Sequence, residues 1–167
     1  MVTLQTPRLL LRPVTLDDTD ALLAVWGDPE TMRWYPAPLD REGMILRIRQ
    51  QIERYPSGTG QLGLVIKQSG DLIGNCGPVW HDVQGVQELE VGYSLRRDHW
   101  GKGYASEAAA AVLHYVRDTL RKTDPISLIR PGNLASCRVA MKNGARLQKT
   151  IHWRDYDHCV YRYSLVI

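Results

Sequence analysis

Three short stretches carry residues whose types and spacing suit chemistry. "DHWGKGYASEAAAAVLHYV", residues 98–116, sets Gly101 and Gly103 around Lys102 and then runs into an alanine-rich helical pattern. Glycine costs about 1 kcal/mol against alanine inside a helix, so both glycines should precede its first full turn. Such a loop is either a tight turn or a place where backbone N–H groups approach an anion. Arg96, Arg97 and Lys102 add local positive charge, which favours the second reading. Just upstream, "VQELEVGYSL" alternates with period two. Glu88, Glu90, Gly92 and Ser94 share one face, and Leu89, Val91, Tyr93 and Leu95 the other. A carboxylate there is a candidate proton acceptor, with a solvated strand residue as the plain alternative. Downstream, "NLAS" offers Asn133 as a helix cap and puts the hydroxyl of Ser136 on the first turn.

Composition narrows the function classes. A chain of 167 residues is long enough to bury a core of its own and is expected to form a single domain, residues 1–167. Its net charge of +3 is too small for a general nucleic-acid binder. The N-terminal apolar run is closed by Arg12 and Pro13, too short for a signal-peptide core, and no run of about 18 apolar residues follows. A cytoplasmic protein without nucleic-acid or membrane partner is expected. Cys76, Cys137 and Cys159 show no metal-ligand spacing and suit a reducing compartment. His152 and His158 flank a tight hairpin where they could meet, but no metal site is expected.

The loop fails two phosphate-binding patterns. No glycine stands at the Walker distance before Gly101-Lys102, and no Ser or Thr follows the lysine. The dinucleotide fingerprint is half present, since Ser106 stands at its third glycine, and only one crossover unit is available. An NADP-binding protein is therefore a weak alternative.

The elements that must hold these residues are legible from period and punctuation. "RLLLRPV" reads as a strand, and Thr15 with Asp18 as a capping box opening a helix to about Trp26. Asp40 caps a second helix with Met44, Ile45, Ile48 and Ile52 on helical spacing. "QLGLVIKQSGD", "LIGNCGPVWHD" and "VQELEVGYSL" are three strands, the first two joined as an antiparallel hairpin. After the glycine loop come a helix marked by Ala108, Val112, Tyr115, Val116 and Leu120, the strand "ISLIR" and the helix opening at Asn133. Two strands at about 147–153 and 158–166 close the chain. The expected fold class is α+β: a mixed, mostly antiparallel twisted sheet of about seven strands with four helices on its faces, and one parallel strand–helix–strand unit.

The loop "WGKGYASEA" after "EVGYSL", followed by "RPGNLASCRVAMKNGA", resembles the GNAT superfamily of N-acetyltransferases, in the branch typified by the RimJ/RimL ribosomal-protein N-terminal acetyltransferases. "TPRLLLRPVTLDDTDALLAVWGDPE" is similar to that branch too, so the resemblance spans nearly the whole chain. It implies acetyl-coenzyme A as cofactor, its pyrophosphate cradled by Trp100, Gly101, Lys102, Gly103, Tyr104, Ala105 and Ser106. Trp100 departs from the family's Gln/Arg, which matters little where backbone N–H groups make the contact. The strand before the loop is expected to splay and to offer backbone groups around Ser94 and Leu95 to the pantetheine arm. Glu90 matches the family's strand glutamate as base, acting through a water. Ser136 matches the branch's hydroxyl that protonates the departing thiolate, and Asn133 and Arg138 are further cofactor contacts. Ala145 departs from the usual aromatic residue, a difference of core packing. Trp34, Tyr35 and Trp153, on aromatic loops, are candidates for lining the acceptor pocket. The reading is direct acetyl transfer to a primary amine, a protein or peptide N-terminus before a small-molecule amine, in a possible homodimer. A non-catalytic acyl-coenzyme A sensor is the alternative.

Overall fold

The computed structural model describes residues 2–166. Twelve elements follow in chain order: β1 (Leu4–Gln5), β2 (Leu9–Arg12), α1 (Thr19–Trp26), α2 (Arg41–Arg54), β3 (Leu62–Ile66), β4 (Leu72–Val83), β5 (Val86–Leu95), α3 (Tyr104–Asp118), β6 (Ile126–Ile129), α4 (Leu134–Lys142), β7 (Arg146–Trp153) and β8 (Tyr156–Arg162). The strands form one eight-stranded sheet in the order β1-β2-β3-β4-β5-β6-β8-β7, antiparallel except between β5 and β6. The α+β expectation holds, with one strand more than anticipated because two residues before Thr6 pair with β2.

Tight turns set the register. Gln84 and Gly85 both take the left-handed conformation (φ 55° and 83°), the geometry that joins β4 and β5 directly. β4 is buried without a break from Leu72 to Val79, which requires cover on both of its faces. α1 and α3 each pack on it, α1 with α2 and α3 with α4 as neighbours. Leu9, Leu11, Leu64, Ile73, Val91 and Val112, all at 0% exposure, mark the core between these layers, and Ala145 is buried in it.

Two local expectations changed. Thr15 opens a 3-10 turn (Leu16–Asp18) rather than α1 itself, with its N–H donating to Asp18 Oδ2 at 2.8 Å. On α2, Met44 and Ile48 are buried as expected, but Ile52 is exposed and Gln51 is buried in its place. Gln51 is tolerated there because its Oε1 accepts the Gln61 N–H at 2.8 Å, so its polar end is satisfied. Among the described residues no helix is long and apolar enough to cross a membrane.

Candidate active site

The site begins where two strands part. β5 and β6 pair through a single register position, Glu90 with Ile126. Beyond it side chains replace the ladder: Ser127 Oγ donates to the Val91 carbonyl at 2.7 Å, and the Leu128 N–H donates to Glu90 Oε1 at 3.3 Å. β5 continues to Leu95 with a gap beside it. Alternation along β5 decides which backbone groups face that gap. Val91 points its carbonyl toward β6. Tyr93 and Leu95 therefore share that edge, while Ser94 faces its antiparallel partner Asn75 in β4. The Leu95 carbonyl is engaged by the Trp100 indole N–H at 2.8 Å, which leaves Tyr93 and the Leu95 N–H as the free backbone edge among the described residues.

Two adjoining cavities open around this gap, of about 390 and 380 Å³. Trp34, Tyr35, Tyr93, Asn133 and Ser136 line both, so that is where they meet. The second runs to the glycine loop. Gly101 and Gly103 have φ of 73° and 83°, left-handed backbone that favours glycine, and α3 starts at Tyr104. Among the described residues the amide N–H groups of Gly101 through Ser106 have no backbone acceptor. Five of these free donors, Gly101 and Gly103 through Ser106, belong to residues that line the second cavity ahead of a fifteen-residue helix and form an anion cradle. Its walls come from Leu95, Trp100, Gly101, Gly103, Tyr104, Ala105 and Ser106. Arg138 also lines it, with Lys142, whereas Lys102 does not. Arg96 and Arg97 are not free cations: Arg96 pairs with Asp98 at 2.8 Å, and Arg97 lies 3.6 Å from Asp28.

The loop is fixed from the other end of the chain. Arg8 Nη1 donates to the Lys102 carbonyl at 2.9 Å, and its Nε donates to Glu107 Oε2 at 2.6 Å. Glu107 Oε1 also accepts the Arg8 N–H at 2.9 Å and the Thr6 hydroxyl. Partial burial pushes the Glu107 carboxyl up, but these donors outweigh it and hold it below its ordinary range. Arg8 and Glu107 lie far apart in sequence, and no local pattern points to the pair.

In the first cavity, Glu90 is the carboxylate. His81 Nε2 lies 2.8 Å from its Oε2 and donates there, since a carboxylate oxygen accepts, and Arg154 Nη2 lies 3.5 Å from His81 Nδ1. The sequence offered one route to His81: counting back from the Gln84-Gly85 turn puts it opposite Glu88, beside Glu90. Glu88 itself is bound by Arg162 through two contacts, 2.6 and 3.2 Å, away from the cavities. On α4, Asn133 Oδ1 accepts the Ser136 N–H at 3.2 Å, the expected cap. The Ser136 carbonyl accepts the Tyr93 hydroxyl at 2.8 Å, and burial pushes the Tyr93 phenol well up, so it stays protonated and committed there. The Ser136 hydroxyl has no partner among the described residues. It is the uncommitted hydroxyl at the meeting point.

The aromatic candidates fall on the same walls. Trp34 and Tyr35 line both cavities, and the Tyr35 hydroxyl lies 3.3 Å from Ser94 Oγ. Trp153 lines the first, with its indole N–H on the Asp82 carbonyl at 2.8 Å and its ring edge-to-face with His81 and His158. His152 and His158 do not meet, because the Arg154-Asp155 turn pairs His158 with Ile151 and His152 with Asp157. Among the described residues no cluster of three or more metal-ligating side chains forms.

A family model described as "Acetyltransferase (GNAT) domain" matches residues 8–146, and the chain belongs to that family. It is 32% identical to "Uncharacterized N-acetyltransferase p20" of Bacillus licheniformis, over 99% of this chain and 97% of that protein. It is 36% identical to YkkB of Bacillus subtilis strain 168, over 95% and 93% respectively. Among solved structures, an acetyltransferase from Agrobacterium tumefaciens superposes with a TM-score of 0.84 at 29% identity, covering 98% of this chain and 94% of that one. RimL, a ribosomal L7/L12 alpha-N-protein acetyltransferase in complex with coenzyme A, shares the fold at 17% identity, with a TM-score of 0.82 and 98% of each chain covered. The chain is an acetyltransferase of the GNAT fold.

Proposed function

We propose that the protein transfers an acetyl group from acetyl-coenzyme A directly to a primary amine, with a protein or peptide N-terminus as the first acceptor and a small-molecule amine as the second. The observation that carries this is the junction of the two cavities. The anion cradle opens into one, Glu90 into the other, and the free hydroxyl of Ser136 lies between. The RimL-like neighbour, which holds coenzyme A and is named for a protein N-terminus, supports the order of acceptors and the RimJ/RimL-type branch. The free thiols of Cys76, Cys137 and Cys159 fit a cytoplasmic location, and a homodimer is what the family resemblance implies.

The residues fit the cofactor. Five free amides suit a diphosphate, with Arg138 beside them, and the free edge of Tyr93 suits the amide-bearing arm. When bound, acetyl-coenzyme A supplies a thioester-activated acetyl group and a thiol leaving group. Glu90 accepts the amine's proton at a carboxylate oxygen, through a water, while His81 and the Leu128 N–H hold its orientation. The Tyr93 N–H offers a donor to the acetyl carbonyl. Ser136 Oγ returns a proton to sulfur. Thiol release with a peptide acceptor tests these roles. Glu90→Gln should lower kcat/KM by about 10²–10³-fold, and Ser136→Ala by roughly tenfold or more, with acetyl-coenzyme A binding retained. Full turnover in the double variant would overturn both assignments.

A further inference from the structure

The charge of the acceptor cavity is one-sided. Arg47, Arg54, Arg130 and Arg154 line it, against the single carboxylate of Glu90, which His81 already occupies. Among the described residues none of these four arginines forms an ion pair. Arg130 and Arg154 stack on Tyr156 and Trp153, at 3.8 and 4.2 Å from the ring centres.

Arg47 is the informative one. Its guanidinium lies 3.5 Å from the centre of the Trp26 ring, and Nη2 donates to Gln61 Oε1 at 2.9 Å. That oxygen also accepts from Asn75 Nδ2 at 2.9 Å, so among the described residues the only acceptor offered to Arg47 is neutral and shared. Among the described residues Nε is sealed from solvent without a partner, and Nη1 has none. Burial presses its pKa down to about 10, more than the nearby Glu90 carboxylate offsets. A protein leaves a charge so placed at a cost that an incoming anion removes.

We propose that the acceptor amine carries a carboxylate, and that Arg47 receives it. The inference rests on the transferase reading of the same site and names its acceptor class. A single negative charge suits the one Nη1 edge left to Arg47, with Arg54 on the same helix and Arg130 and Arg154 adding field. Polycationic amines such as polyamines and aminoglycosides meet like charge instead. The carboxylate belongs either to a free amino acid or to an acidic residue following a peptide N-terminus.

The test is thiol release at saturating acetyl-coenzyme A with matched acceptors: alanine against alaninamide, an Ala-Asp-initiated peptide against its Ala-Asn counterpart, O-phosphoethanolamine, and spermidine. The carboxylate member of one pair should lead in kcat/KM by tenfold or more, and which pair does so identifies the source. In Arg47→Gln that ratio should collapse towards one, while the thermal shift given by acetyl-coenzyme A persists. Arg47→Lys should recover part of the preference. Equal or better use of the neutral, phosphorylated or polycationic amine, or a ratio unchanged in Arg47→Gln, would overturn the inference with the transferase reading intact. Thiol release from none of them would remove that reading and the inference together.

Discussion

Replacing Gly103 perturbs the anion cradle at its centre, and the structure sets the size of the effect. Its φ of +83° is left-handed, which costs a side-chain-bearing residue about 1–2 kcal/mol. A Cβ there would also lie 3.3 Å from Arg8 Nη2, the far end of a flexible side chain that can give way. At Gly101, where φ is +73°, a Cβ meets nothing within 4 Å, so alanine there isolates the backbone term. For a chain of this length 1 kcal/mol corresponds to roughly 2–4 °C in Tm. Gly101→Ala and Gly103→Ala should thus melt about 2–8 °C below the native protein. Acetyl-coenzyme A at about a hundred times its Kd adds roughly 2.7 kcal/mol, or about 5–11 °C. If Gly103→Ala weakens binding about tenfold, the same ligand concentration adds about 1.4 kcal/mol, half the shift. Gly103→Glu puts a carboxylate where the pyrophosphate belongs and should abolish the shift. The assay is thermal unfolding with and without ligand. A Gly103→Glu protein that melts cooperatively and keeps the native ligand shift would refute the cradle.

Two further substitutions separate structural carboxylates from the catalytic candidate. Glu88→Gln removes a bidentate contact to Arg162 outside both cavities and should cost about 1–2 kcal/mol in urea unfolding, with thiol release retained; a loss of kcat as large as that of Glu90→Gln would count against this division. Asp18 is held by both Nη atoms of Arg12 at 2.8 Å and by the Thr15 N–H. Burial raises its pKa, but those contacts outweigh it and leave the pKa lowered. Its contribution to stability is therefore full above the ordinary aspartate pKa of about 3.9 and is lost as pH falls through the lower folded value. Asp18→Asn should flatten that acid limb of the stability curve, and an unchanged limb would refute the assignment.

What the sequence displayed of the site follows from how local each interaction is. The two left-handed glycines, the Asn133 cap and the alternation of β5 are short-range features, and each is visible in a window of a few residues. The single parallel crossover was also legible, because a strand, a helix and a strand follow one another around the loop. Charge was misread where pairing is tertiary or falls within a turn: Arg97 faces Asp28, and Arg96 folds back on Asp98. Arg8 and Arg47 left no trace in local pattern, because their partners Lys102, Glu107 and Gln61 come from other elements. The backbone edge of β5 needed the β4 register to fix it, and this moved attention from Ser94 to Tyr93.

The arginines of the acceptor cavity bear on the chemistry as well as on recognition. An amine reaches the site mostly as ammonium and attacks only when neutral. A cation about 8 Å away, at an effective dielectric constant of about 20, opposes the protonated form by roughly 2 kcal/mol before solvent screening reduces it. Several guanidiniums around one ammonium therefore lower its pKa, while Glu90 acts in the opposite sense and takes the proton. His158, on the same wall, has its pKa pushed down by burial, so near neutral pH it adds little positive charge of its own. An amine carrying a carboxylate resolves the conflict between binding and activation: its anion meets Arg47, and its ammonium is left in a field that favours deprotonation. A polycation would gain the second effect and lose the first. The bound carboxylate neutralises Arg47, so recognition rests on Arg47 while the field that prepares the nitrogen comes from Arg54, Arg130 and Arg154 on the same walls.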